Sequence, residues 1–151
     1  MDSGEESREG ELRPGVHELD HTADLGMQVV AETREGLFKR AALGMFALMW
    51  ESWPPAASGH RVEERRLEVR ADAIDTLLAR WLQELLYLYD GHSLVPVEVE
   101  LGSVADTRLA ARVGLTPAGS PPVRELKGVT YHGLEVERAG DGWRAQVIFD
   151  I

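Results

Sequence analysis

Over residues 25–32 the chain alternates: Met27, Val29 and Ala31 fall on one side and Gln28, Val30 and Glu32 on the other, the two-residue period of a half-buried strand. The period then changes. Leu37, Ala41, Met45 and Leu48, flanked by Phe38 and Met49, recur at helical spacing over 34–50, and Thr33 stands where a hydroxyl caps the first turn. Pro54 and Pro55, in the connection 51–59, end that helix. Residues 62–71 alternate again, Leu67 and Val69 against Arg66, Glu68 and Arg70, which predicts a strand with one solvated side. The clearest periodicity comes next. Ile74, Leu77, Leu78, Trp81, Leu82, Leu85, Leu88 and Tyr89 form one apolar helical face, with Asp72 expected as its cap and Gly91 as its stop. Beyond it lie only strand-like pieces, 94–101, 107–113, 123–131, 134–138 and 143–151, separated by turns rich in Gly, Pro, Ser and Asp. The turn at 139–142 makes the last two a hairpin.

Two buried helices and about six or seven strands, most joined too closely for parallel crossovers, predict an α+β fold: a two-layer sandwich of an antiparallel or mixed sheet packed on the helices. Residues 1–15, rich in acids and glycine, read as a flexible acidic tail, and 16–151 as the folded domain. The Pro121-Pro122 stretch is a loop inside that domain, because the segment C-terminal to it is too short to fold alone.

Composition narrows the function. The 151 residues are 44% hydrophobic and 28% charged, as in an ordinary soluble protein. Lys and Arg total 16 against 26 Asp and Glu, and a net charge of −10 repels phosphate backbones, so direct, autonomous nucleic-acid binding is not expected. With no cysteine, thiolate metal sites, disulfides and cysteine nucleophiles are excluded, leaving carboxylates and imidazoles as metal ligands. The start of the chain lacks an apolar signal region and no later run has membrane-spanning length, which predicts a cytoplasmic protein without membrane association. Phosphate-loop, dinucleotide-binding and hydrolase signatures do not occur.

Three segments could carry chemistry. In Asp20-His21-Thr22-Ala23-Asp24-Leu25-Gly26, two carboxylates and an imidazole precede the first strand, where they suit either a cation or a turn that bonds its own backbone. In the last strand, a core-facing set of Trp143, Ala145, Val147, Phe149 and Ile151 turns Arg144, Gln146, Ile148 and Asp150 outward. Asp150 then sits beside the terminal α-carboxylate of Ile151. With Asp24 these make three carboxylates for one hard cation, Ca²⁺, Mg²⁺ or Mn²⁺, although an exposed Asp near a frayed end fits the same residues. The third segment, Lys127-Gly128-Val129-Thr130-Tyr131-His132-Gly133, offers a cation and an imidazole, or a strand end and turn. His17, His60 and His92 stand singly and read as surface residues.

Together these segments, with Trp81-Leu82-Gln83-Glu84-Leu85-Leu86-Tyr87 and the terminal Phe149-Asp150-Ile151, resemble the archease family over about residues 17–151. The resemblance implies a small acidic cofactor protein, without catalytic residues of its own, for the GTP-dependent RNA ligase (RtcB type) of tRNA splicing and RNA repair. It would promote guanylylation of the ligase, sustain multiple turnover and broaden the nucleotide accepted. It further implies a metal ion, Ca²⁺ or another hard divalent cation, at Asp24, Asp150 and Ile151. The chain departs from the family pattern in having Gly128 where Ala is usual and the Gly119-Ser120-Pro121-Pro122 loop where a His is usual. Two other readings remain: a stand-alone metal-dependent hydrolase using Asp20, His21, Asp24 and His132, and a calcium-stabilised, chaperone-like binding protein in which the cation ties the C-terminus to the first strand.

Overall fold

The computed structural model describes residues 11–19, 25–51 and 60–151. In chain order the elements are β1 (Glu11–Arg13), β2 (Val16–Leu19), β3 (Leu25–Ala31), α1 (Arg34–Trp50), β4 (Glu63–Arg70), α2 (Ile74–His92), β5 (Leu94–Val104), β6 (Arg108–Pro117), β7 (Gly128–Ala139) and β8 (Gly142–Asp150). The α+β fold is as expected, and every strand pair is antiparallel. The strands divide into a five-stranded sheet, β1-β2-β3-β8-β7, and a three-stranded sheet, β4-β6-β5. Both helices bridge the two. α1 packs on β1, β2, β3 and β8 of the larger sheet and on β5 of the smaller, while α2 packs on β7 of the larger and on β4 and β5 of the smaller.

Eight strands are described where the pattern predicted six or seven: β1 and β2 are two that the pattern did not mark, and two predicted pieces join into one. Glu11–Arg13, read from composition as part of a tail, pairs with β2 across a tight Pro14-Gly15 turn. Gly15 has φ 76°, a conformation glycine adopts without strain, and its N–H donates to Glu11 Oε2 at 3.0 Å. Conversely, the pieces 123–131 and 134–138 are one strand that begins only at Gly128. Its expected start does not pair because Val123 and Arg124 donate their N–H groups to Met49 O, at 2.7 and 3.1 Å, closing the end of α1. Trp50 Nε1 donates to Ser120 O at 3.0 Å in the same region.

The helix termini follow local chemistry. Thr33 Oγ1 accepts from Gly36 N at 3.0 Å, as predicted for α1. The cap of α2 is Ala73 rather than Asp72, and alanine has no side-chain acceptor. The Thr76 hydroxyl compensates, accepting from Ala73 N at 3.2 Å and donating to Ala73 O at 3.0 Å. Gly91 lies inside the last turn, and the left-handed residue that stops α2 is Ser93, whose N–H donates to Tyr89 O at 2.7 Å. Between the helices, the buried Trp81 indole donates to Phe38 O at 2.9 Å. At Gly44 the backbone of α1 meets β2 directly: a Cβ there would come within 2.8 Å of Val16 Cγ1.

Candidate functional site

The alternation of β8 buries Ala145, Val147 and Phe149 and leaves Arg144 and Asp150 in solvent. Because β8 lies between β3 and β7, its end meets both neighbours. Leu25 pairs with Phe149 on one side; on the other, Gly128 pairs with Asp150, Val129 with Phe149 and Thr130 with Ile148. Thus the start of β3, the start of β7 and the end of β8 share one corner of the sheet. Residues 20–24 lie outside the described residues, so of the opening segment only Leu25 and Gly26 are placed, and Asp20, His21 and Asp24 are not. Asp24 is one peptide bond from Leu25.

The second and third candidate segments are brought together by the backbone. Lys127 N donates to Asp150 O at 2.8 Å, and Val129 N donates to Gln83 Oε1 at 3.2 Å, tying the start of β7 to α2 as well. The Asp150 side chain is exposed, and among the described residues its carboxylate enters no hydrogen bond or ion pair. Lys127 is exposed too. Ile151, expected to face the core, is 53% exposed, because β8 ends at Asp150 and nothing continues the pairing. Trp143, at the other end of the strand, is half-buried, with the guanidinium groups of Arg34 and Arg138 at 4.8 and 5.2 Å from its ring centroid. Among the described residues no three His, Cys, Asp or Glu side chains converge as a metal cluster.

Ile148 departs from the predicted outward set: it is 3% exposed, yet stands apart from the main core. The cause is a bulge in β7. Its register jumps from Thr130↔Ile148 to Glu135↔Gln146, so residues 131–134 fold out over the sheet face. Gly133, at φ 75°, lies so close that a Cβ would sit 3.2 Å from Ile148 Cγ1, and its carbonyl accepts from Gln146 Nε2 at 2.8 Å. Tyr131 and His132 ride on this bulge in solvent, with the His132 carbonyl accepting from Thr130 Oγ1 at 3.1 Å. An isolated glycine within a strand-like run is the signal for such a bulge.

Beside the corner, β4, α2 and β7 enclose a cleft of about 510 Å³ lined by Arg70, Arg80, Gln83, Glu84, Tyr87 and Tyr131. The two tyrosines are 58% and 60% exposed. Gln83 and Tyr87 belong to the Trp81–Tyr87 stretch that carries the family resemblance but were given no role, and periodicity marks them only by their absence from the apolar face. Of the single histidines, His60 and His92 are exposed as expected, whereas His17 is half-buried in β2 opposite Gln28.

A family model described as the Archease protein family matches residues 17–151. The chain belongs to the archease family. Among curated archeases, that of Methanosarcina barkeri is 34% identical over 140 residues, covering 88% of this chain and 93% of the relative. The probable archease of Mycobacterium tuberculosis is 31% identical over 147 residues, covering 91% of this chain and 75% of the relative. The solution structure of Methanobacterium thermoautotrophicum protein 1598 superposes with a TM-score of 0.73 at 28% identity, covering 92% of this chain and all (100%) of that one. The crystal structure of a Thermotoga maritima archease, described as a possible chaperone, has the same fold: TM-score 0.62 at 19% identity, over 88% of this chain and 94% of that one. Among the described residues of this archease, no helix is long and apolar enough to cross a membrane.

Proposed function

We propose that this archease is a non-catalytic activator of a GTP-dependent RNA ligase of the tRNA-splicing and RNA-repair type, acting in the cytoplasm. It promotes guanylylation and repeated turnover of the ligase and widens its nucleotide use, with a hard divalent cation held by Asp24, Asp150 and the α-carboxylate of Ile151. The observation that supports this reading is the pairing of Leu25 with Phe149, which brings the start of β3 to the end of β8. The donor chemistry fits. Asp150 has no competing partner among the described residues, and carboxylate oxygens suit Ca²⁺, Mg²⁺ or Mn²⁺. When bound, the ion supplies a Lewis-acidic centre on an acidic surface.

The chain's own residues do the rest. The Lys127 N–H holds the Asp150 main chain, Gln83 holds the start of β7, and the net charge of −10 steers the protein toward a groove built for RNA. Transient docking favours the ligase conformation that takes up nucleotide, and departure then leaves the groove to RNA.

The test is guanylylation of the cognate ligase with GTP, with this protein present in substoichiometric amount. Stimulation is expected with the native chain and not with Asp24→Asn or Asp150→Asn. No stimulation at all removes the function, and equal stimulation by both variants removes the site. Phosphoester turnover by the protein alone favours a hydrolase instead. Residues added after Ile151 should also abolish the calcium-induced rise in Tm, because they replace the α-carboxylate by an amide.

A further inference from the structure

Among the described residues four strands end a sheet: β1 and β7 in the larger, β4 and β5 in the smaller. Three of them are irregular. β1 has only three residues and a register shift, β5 carries Pro96 and shifts at 96–98 and 101–103, and β7 bulges after Thr130. Such features keep a further strand from pairing with an edge. β4 has none of them. Its eight residues, Glu63–Arg70, run beside β6 in unbroken register from Glu63↔Leu115 to Arg70↔Arg108.

The main chain of β4 has a definite open side. Ala71 N donates to Thr107 O at 3.0 Å, so the odd-numbered residues turn their N–H and C=O groups toward β6 and the even-numbered ones away from it. Arg70 O fits this alternation, accepting from Arg80 Nη1 at 2.8 Å rather than from β6. The N–H and C=O groups of Arg66 and Glu68, in the middle of the strand, have no partner among the described residues.

The side chains of the same even-numbered residues, Glu64, Arg66, Glu68 and Arg70, are exposed and alternate in sign. Their own sheet does not balance them. Arg66 lies opposite Arg112, Arg70 opposite Arg108 and Glu68 opposite Ala110, and like charges directly opposite one another are unfavourable. Glu100 takes Arg112 at 2.6 Å and Arg61 takes Glu64 at 3.0 Å, whereas the side chains of Arg66, Glu68 and Arg70 have no partner among the described residues.

We propose that β4 is a self-recognition edge, on which a second copy of this chain pairs antiparallel about a two-fold axis at Leu67 and joins two three-stranded sheets into one. In that register Arg66 faces Glu68 of the second copy and Glu64 faces Arg70, so every one of these charges meets its opposite. On the other side of the sheet the half-buried Leu67 meets its own counterpart. A slip of two residues, the smallest that keeps the faces, sets Arg66 on Arg66 or Glu68 on Glu68 and is repelled. The contact is a single strand edge and the net charge of −10 works against it, so the dimer is reversible. The pairing is independent of the ligase reading.

Sedimentation velocity of the full chain, from about 5 µM to about 0.5 mM, reads monomer and dimer directly. A concentration-dependent dimer is expected. Arg66→Glu alone and Glu68→Arg alone each set like charges together twice, by symmetry, and should weaken association roughly tenfold or more. Carrying both changes in one chain restores opposite charges and should return association to within about threefold of the native chain. A mixture of the two single variants should form a heterodimer for the same reason. Both positions are exposed, so the variants keep the fold. The proposal is overturned if the native chain stays monomeric throughout, if the single variants associate as it does, or if either the double variant or the mixture fails to restore the dimer.

Discussion

The two helices, nearly equal in length, meet water in opposite ways. α1 is buried on almost every side, without a break from Gly44 to Trp50, because both sheets and α2 close around it. α2 keeps a polar stripe on which Arg80, Glu84 and Tyr87 stay in solvent and beside which Gln83 reaches β7. α1 therefore carries stability, and the exposed side of α2 is left free to position a site.

Removing the Phe38 side chain from α1 opens a fully buried space next to Trp81 and should cost about 3–5 kcal/mol in urea unfolding, whereas Tyr87→Ala on α2 should stay within about 0.5 kcal/mol. Comparable losses from the two would erase the contrast. The caps sharpen it. Thr33→Ala should destabilise by about 1 kcal/mol, while Ala73→Ser, which gives α2 the acceptor it lacks, should add about 0.5 kcal/mol; thermal melts of opposite sign are the check.

The smallest effect is at the end of α2, where burial first and Glu125 second raise the Asp90 pKa above its ordinary 3.8. A carboxyl with a raised folded-state pKa contributes stability below its unfolded value and loses it as pH rises through the folded one. Asp90→Asn should thus stabilise the protein near pH 7, by less than about 0.5 kcal/mol at so exposed a position, and the gain should fade as pH drops toward 3.8. A gain that grows in acid would reverse the assignment.

Much of the fold was readable before any coordinates. The bounds 34–50 for α1, the long face of α2, the alternation of β3 and the hairpin between β7 and β8 all follow from periods and turn residues. Where reading failed, a distant group had intervened. Residues 123–127 were read as part of a strand, but the N–H groups of Val123 and Arg124 go to Met49 and that of Lys127 to Asp150. Ile148 alternates outward and is nevertheless covered by the bulge at 131–134. At the candidate site, the outward direction of Asp150 was legible from the alternation of β8. The Gln83 contact was not, because it joins elements far apart in the chain.

Patterning of neighbouring residues was enough to decide which segments coil and which extend, because the period of apolar positions follows directly from which face must leave water. It could not decide partners. Whether eight strands form one sheet or two, and which corner receives the last residues, depends on how free backbone N–H and C=O groups find one another across the chain, and only the folded arrangement settles that competition.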